Sequence, residues 1–172
     1  MLPRYSPDRF FPPYTYVPGR APHPIRDPAG HWHDVARDTP QPLSPTDWAD
    51  SPDYLWGVDL FNAGFYWEAH EVWEGLWHAA GRAGETADFL KGLIRYAAAG
   101  VKHYEGRAEG VTRHRNRAVE LLSSVSRRRS TSGRYAGIEI DALVGQIASL
   151  RSDAMPAGTP PVAGQLGELR LG

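Results

Sequence analysis

The placement of proline limits this chain more narrowly than any other feature: 12 of its 15 prolines fall in residues 1–52, and none occurs between Asp53 and Met155. Proline fixes φ and removes a backbone donor, so the first stretch accommodates neither a long helix nor a central strand. The proline-free stretch has no such bar to helix. The chain therefore divides into a Pro-rich extended N-terminal arm (1–51), a helical bundle domain (52–151) and a flexible C-terminal tail (152–172), and 172 residues suit one such domain. The arm is not a plain linker. It carries Phe10, Phe11, Tyr14, Tyr16 and Val17, enough apolar surface to pack along the body as a strap, with residues 9–17 docking through Phe10, Phe11 and Tyr14.

Within the body, the spacing predicts five helices. Ser51-Pro52-Asp53 reads as a helix start, with Pro in the first turn and an acid at the positive end, and Asn62-Ala63-Gly64 as its stop. A second helix runs from about Phe65 to Ala80 and ends at Gly81; a third spans about Glu85 to Glu105 and ends at Gly106. The fourth, about Ala108 to Val125, has Val111, Ala118, Leu121, Leu122 and Val125 on one face, and a shorter fifth is marked by Ile140, Leu143, Val144, Ile147 and Leu150. Short connections favour antiparallel neighbours. The expected fold is all-α, an up-and-down bundle of four to five helices.

Composition removes several chemistries. The chain has no cysteine, which excludes disulfides, thiolate-zinc sites and thiol catalysis, so any metal site must use His and carboxylates. A net charge of −1 argues against a dedicated nucleic-acid binder. No apolar run is long enough to span a bilayer and the N-terminus lacks the apolar core of a signal peptide, so a soluble cytoplasmic protein is expected. The charge is nevertheless segregated: residues 47–88 hold nine acids and one Arg, while residues 107–134 hold eight Arg and two Glu. Complementarity between bundle halves is the simpler reading. An anion- or RNA-binding patch around Arg113, Arg115, Arg117 and Arg127 to Arg129 is the sharper one, weakened by the lack of aromatics for base stacking.

The densest chemistry lies in FNAGFYWEAHEVWEGLWH, residues 61–78. At about 100° per residue, His70, Glu71, Glu74 and His78 share one stripe with Trp67 in its middle, and Glu68 lies off it. Tyr66, Ala69, Val72, Trp73 and Leu76 cover the adjacent arc, which marks a helix that is largely buried. Buried carboxylates need cations, hydrogen-bond donors or a metal. His70 and Glu74, spaced i, i+4, can point at one divalent ion; the second His of the HExxH zinc-protease pattern is replaced by Glu74, so that signature is absent. His103 falls on the inward stripe of the third helix. Against the metal stands a structural reading, a hydrogen-bonded layer of Glu, His and indole groups with Lys91, Arg95 and Lys102 as basic partners. His31 and His33 in the arm, at i, i+2 in an extended segment, point opposite ways and make a doubtful shared ligand set.

The run from Leu60 through Asn62-Ala63-Gly64-Phe65-Tyr66-Trp67-Glu68-Ala69-His70-Glu71-Val72-Trp73-Glu74, with Trp77, resembles the signature of the domain of unknown function 309 family. Phe89 to Ala99 and His103…Gly106…Gly110 look like its later blocks, so the resemblance covers about residues 54–126. Members are small all-helical proteins described as metal-dependent hydrolases by inference from the motif. The resemblance implies a site of Glu68, His70, Glu71 and Glu74 with His103 across from it. Lys91 stands where the family often has Gln, and a cation there favours ion pairing; Arg107 stands where it often has Asn. The leading expectation is a metal-dependent hydrolase with a divalent ion on His70, Glu74 and His103, Glu71 as general base, and Asn62, Trp67, Glu68, Trp73, Trp77, His78 and Lys91 around the pocket. The alternative is a non-catalytic helical binding or scaffold protein whose Glu/His/Trp layer is structural or grips a small cationic ligand. The small-molecule partner is unspecified, and a homo-oligomer is left open.

Overall fold

A computed structural model describes residues 3–128, 133–152 and 160–172; Arg129 of the expected basic patch and residues 153–159 of the tail lie outside the described residues. Five α-helices follow the arm: α1 (Pro52–Asn62), α2 (Tyr66–Ala79), α3 (Glu85–Tyr104), α4 (Ala108–Arg128) and α5 (Ile140–Ala148). Between α4 and α5 the strands β1 (Arg134–Tyr135) and β2 (Ile138–Glu139) form a small antiparallel hairpin, with Tyr135 paired to Ile138. The all-α bundle read from the sequence is thus the observed fold, with the hairpin as an addition.

The helix ends follow their local chemistry. Pro52 opens α1, although the Ser51 side chain makes no capping hydrogen bond. Gly64 takes φ +87°, so that Gly64 N–H reaches Phe61 O and Phe65 N–H reaches Leu60 O, the paired bonds that close a helix through a left-handed residue. The same pair of bonds ends α3 at Gly106, from Gly106 N–H to His103 O and from Arg107 N–H to Lys102 O.

Interlocking small and large residues set the antiparallel order. Gly57 of α1 accommodates the Trp73 indole of α2, Gly100 near the end of α3 receives Tyr66 from the start of α2, and Gly92 near the start of α3 receives Leu122 from late in α4. A Cβ at any of the three would collide with its neighbour, so close approach here depends on glycine. α3 sits between α2 and α4, and α5 packs on α4. Tyr54, Leu60, Phe61, Tyr66, Trp73, Phe89, Leu93, Tyr96 and Tyr104 form the centre of the core.

The arm is fastened by two buried carboxylates. Asp59 of α1, 1 % exposed, accepts Arg4 Nε at 3.0 Å, Tyr5 N–H at 2.9 Å and Ser6 N–H at 2.8 Å. Glu68 of α2 holds the next stretch, as detailed below. Phe11 stacks between Trp56 and Phe65, with centroids 5.4 and 5.3 Å away. Phe10, expected to dock with it, is 92 % exposed: successive side chains of an extended segment face opposite ways, and Phe11 takes the inward position.

Residues 160–172 of the tail dock on the bundle. Leu166 and Leu169 are buried, and the docking is polar as well as apolar. Tyr66 OH accepts Leu166 N–H at 3.1 Å, Tyr96 OH donates to Leu166 O, and Tyr104 OH exchanges bonds with both backbone groups of Val162. Asn62 brackets Leu169, accepting its N–H at 2.7 Å and donating to its carbonyl at 2.8 Å. Buried tyrosine hydroxyls need partners, and the tail backbone supplies them.

Candidate functional site

α2 presents three faces, each with a different occupation. Tyr66, Ala69, Trp73 and Leu76 turn into the core. Glu68, fully buried, turns to the arm: its carboxylate accepts Tyr16 N–H at 2.8 Å and Thr15 Oγ1 at 2.9 Å, and His31 Nε2 stands 3.6 Å away. Burial pushes the Glu68 carboxyl up to about 7, against the opposing pull of the Tyr16 N–H, its own N–H and Thr15. The His31 imidazole, 4 % exposed, is lowered by burial and then by Arg37. Trp67, next to Glu68, is walled in by Tyr16, His23 and Trp32.

The third face carries His70, Glu71 and Glu74, all partly exposed. One ligand atom from each lies within 4.8 Å of the other two, close enough to converge on a single ion. Here the i, i+1 and i, i+4 spacings work together, because the helix brings residue 74 above residue 70 while residue 71 flanks both. His70 Nδ1 is buried, lies 3.5 Å from Glu71 Oε1 and has no hydrogen-bond partner. Among the described residues, no Lys or Arg nitrogen comes within ion-pair distance of Glu71 or Glu74. Glu71, Glu74 and His78 open onto a groove of about 1030 Å³ between α2, the start of α1 and arm residues 35–44, which is also lined by Asp53, Trp56 and Trp32.

The remaining expected residues are distributed more widely. His103 occupies the last turn of α3 beside Tyr104, ring centroids 6.1 Å apart, and the convergent trio contains Glu71 rather than His103. Trp73 is wholly inside the core, Asn62 holds the tail, and Glu68 holds the arm, so these three serve packing and docking. His78 accepts Arg82 Nε at 2.8 Å on the rim. Lys91 lies over the Trp77 ring at 3.8 Å, and burial lowers its pKa, helped by Arg95 and opposed by Glu74. Lys91 therefore spends its charge on an indole face rather than on a direct bond to the carboxylates. Lys102 is paired with Glu105 at 2.5 Å, whereas Arg95 turns to His114 on α4, Nη1 to Nδ1 3.4 Å. The sequence reading named Arg95 but not His114, which is hidden among the arginines of α4.

Residues 54–114 match the family described as Domain of unknown function (DUF309). The similarity to that family is confined to this segment. It runs from α1 into α4 and contains the whole His70, Glu71, Glu74 cluster, while the arm, the hairpin, α5 and the tail lie outside it. No curated protein matches the chain. Among the described residues, no helix is long and apolar enough to cross a membrane.

Proposed function

We propose that this chain is a cytoplasmic metal-dependent hydrolase of a small molecule, with a divalent ion held by His70, Glu71 and Glu74. The observation that carries the reading is the convergence of ligand atoms from His70, Glu71 and Glu74, with the buried His70 Nδ1 lacking a hydrogen bond and, among the described residues, no Lys or Arg nitrogen within ion-pair distance of either carboxylate. Nitrogen plus two carboxylate oxygens suits zinc, manganese or iron(II), and three protein ligands leave coordination positions for water and substrate. Bound there, an ion would polarise the scissile bond and acidify a water. Glu71 contributes one oxygen to the cluster and keeps a second to accept a proton, as a general base on the rim of the groove. Glu71 stands as third ligand where the sequence reading placed His103.

A second reading has its own support in Lys91, whose ammonium covers Trp77 beside Glu74: the layer would then be structural and the protein a helical binding or scaffold module. Nucleic acid is not the expected partner of either version, because Arg115, Arg117 and Arg128 are engaged by the Leu150 carbonyl, Glu120 and Asp88. Thermal melts in chelator and in excess zinc, manganese or iron(II) separate the two. The hydrolase reading expects metal to raise the melting temperature of wild type and not of His70→Ala, and Glu71→Gln to lose hydrolysis and weaken the metal response. A melting temperature indifferent to all three metals would sink it.

A further inference from the structure

The faces of α3 and α4 that flank the His70 cluster carry several cations, of which Lys102 is paired with Glu105 while Arg95 has no carboxylate partner among the described residues. Tyr66 packs on Gly100 and Trp77 lies under Lys91, so the middle of α2, where His70 sits, stands beside the middle of α3. Lys102 packs against Gly110, and Gly92 against Leu122, so His114, one turn beyond Gly110, lies level with that same section of α3. Arg95 is there, on the face shared with Lys91 and Lys102, and its guanidinium reaches His114 across the α3–α4 seam at 3.4 Å.

What surrounds Arg95 is unusual for a half-buried guanidinium. Its Nε is buried and has no hydrogen-bond partner, and among the described residues no carboxylate lies within ion-pair distance of it. The side-chain charges of Arg95, Arg113 and Lys102 all bear on His114, and of these Lys102 is itself paired with Glu105. With burial as the larger cause, they push the imidazole down to about 4, so at neutral pH it is an uncharged hydrogen-bonding group amid cations. A buried donor without a partner, such as Arg95 Nε, is costly. A guanidinium with a free N–H edge, a second arginine nearby and a neutral imidazole is a donor set matched to a phosphoryl group, whose several oxygens and double charge use all of them.

We propose that Arg95, His114 and Arg113 bind the phosphoryl group of a small phosphorylated substrate, which places its scissile bond beside His70, Glu71 and Glu74. The substrate part of this inference rests on the hydrolase reading above; the anion site itself does not. Arg95 and His114 are positioning residues here, holding the phosphoryl group while a water that gives its proton to Glu71 would attack phosphorus, the phosphorus–oxygen bond to the rest of the substrate breaking and the departing oxygen taking up that proton.

The test uses the full chain in chelator, titrated with inorganic phosphate at constant ionic strength and followed in the arginine Nε–Hε NMR spectrum. Millimolar phosphate should move the Arg95 Nε–Hε resonance, and chloride should not. Arg95→Gln should weaken phosphate binding at least tenfold, while Arg117→Gln, which removes an arginine paired with Glu120, should leave it unchanged. An unshifted Arg95 resonance in wild type overturns the site even if Arg95→Gln fails to fold, and a response to acetate as strong as to phosphate overturns the phosphoryl assignment. Phosphate binding with no metal response refutes the hydrolase and the substrate role together, leaving only the anion site standing. A metal response without phosphate binding removes the anion site alone.

Discussion

Replacing Glu68 by Gln should remove the loss of stability that accompanies rising pH, in a direction fixed by the geometry of the arm. The Glu68 carboxyl is raised from 4.5 to about 7, chiefly by burial. An acid with a raised folded pKa favours folding below its unfolded value, and that contribution is lost as pH rises through the folded one. A shift of this size corresponds to about 3 kcal/mol lost between roughly pH 4.5 and 7, at about 1.4 kcal/mol per unit. For a domain of this length that is on the order of 10 °C in melting temperature. His31, facing the same carboxylate, works in the opposite sense: its lowered pKa contributes stability above 6.5 that is lost as pH falls, so the wild-type curve is the difference of two slopes. Gln isolates one of them. Its carbonyl still accepts Tyr16 N–H and its amide can meet Thr15, so Glu68→Gln should match wild type near pH 5 and exceed it by about 1–3 kcal/mol at pH 8. Urea unfolding at pH 5, 6, 7 and 8 in chelator, followed by circular dichroism, measures both curves. Parallel curves for the two proteins would refute the claim that a buried, proton-holding Glu68 fastens the arm.

Phe11→Ala should cost about 1–3 kcal/mol by emptying the slot between Trp56 and Phe65, whereas Phe10→Ala, on the exposed side, should fall within about 0.5 kcal/mol of wild type; chemical denaturation of the pair tests the strap directly. Asp59→Ala strands Arg4 and the amides of Tyr5 and Ser6 and should destabilise by about 3 kcal/mol or more, with the first arm residues becoming the earliest site of limited proteolysis. Gly57→Ala drives a methyl into the Trp73 indole and should cost about 1–3 kcal/mol, read as a lower melting temperature with the helical spectrum retained.

The helices were legible because their signals are local. Glycine stops and apolar stripes depend on a few neighbouring residues, and all five helices lie within a few residues of where those signals place them. The docking of residues 160–172 was not legible for the opposite reason. Leu166 and Leu169 sit in a Gly-rich stretch with no helical or strand period, and their anchors are tyrosine hydroxyls on α2 and α3 and an Asn on α1, more than sixty residues away or further in the chain. Phe10 and Phe11 show the same limit at smaller scale, since composition marks both as apolar and only the path of the extended chain decides which one faces inward. The hairpin escaped because Ala136-Gly137, both at positive φ, make a two-residue turn without the usual Asn-Gly or Asp-Gly signal.

The site follows the same division. His70 and Glu74 could be paired from spacing alone, because an i, i+4 relation on a helix is geometry already present in the sequence. The role of Glu68 could not, since it depends on Thr15, Tyr16 and His31 arriving from the arm. A motif containing three glutamates in seven residues reads as one acidic cluster on paper. Folding separates it: the 100° step sends Glu68 to the arm and leaves Glu71 and Glu74 with His70, so one carboxylate is consumed in holding the chain and two remain partly exposed to react. That separation also explains why a single helix needs so many aromatic and acidic residues together. α2 must fill the core with Tyr66 and Trp73, hold the strap through Glu68, and still present Glu71 and Glu74 to the groove, while Trp67, on the same stripe as the cluster, packs against the arm.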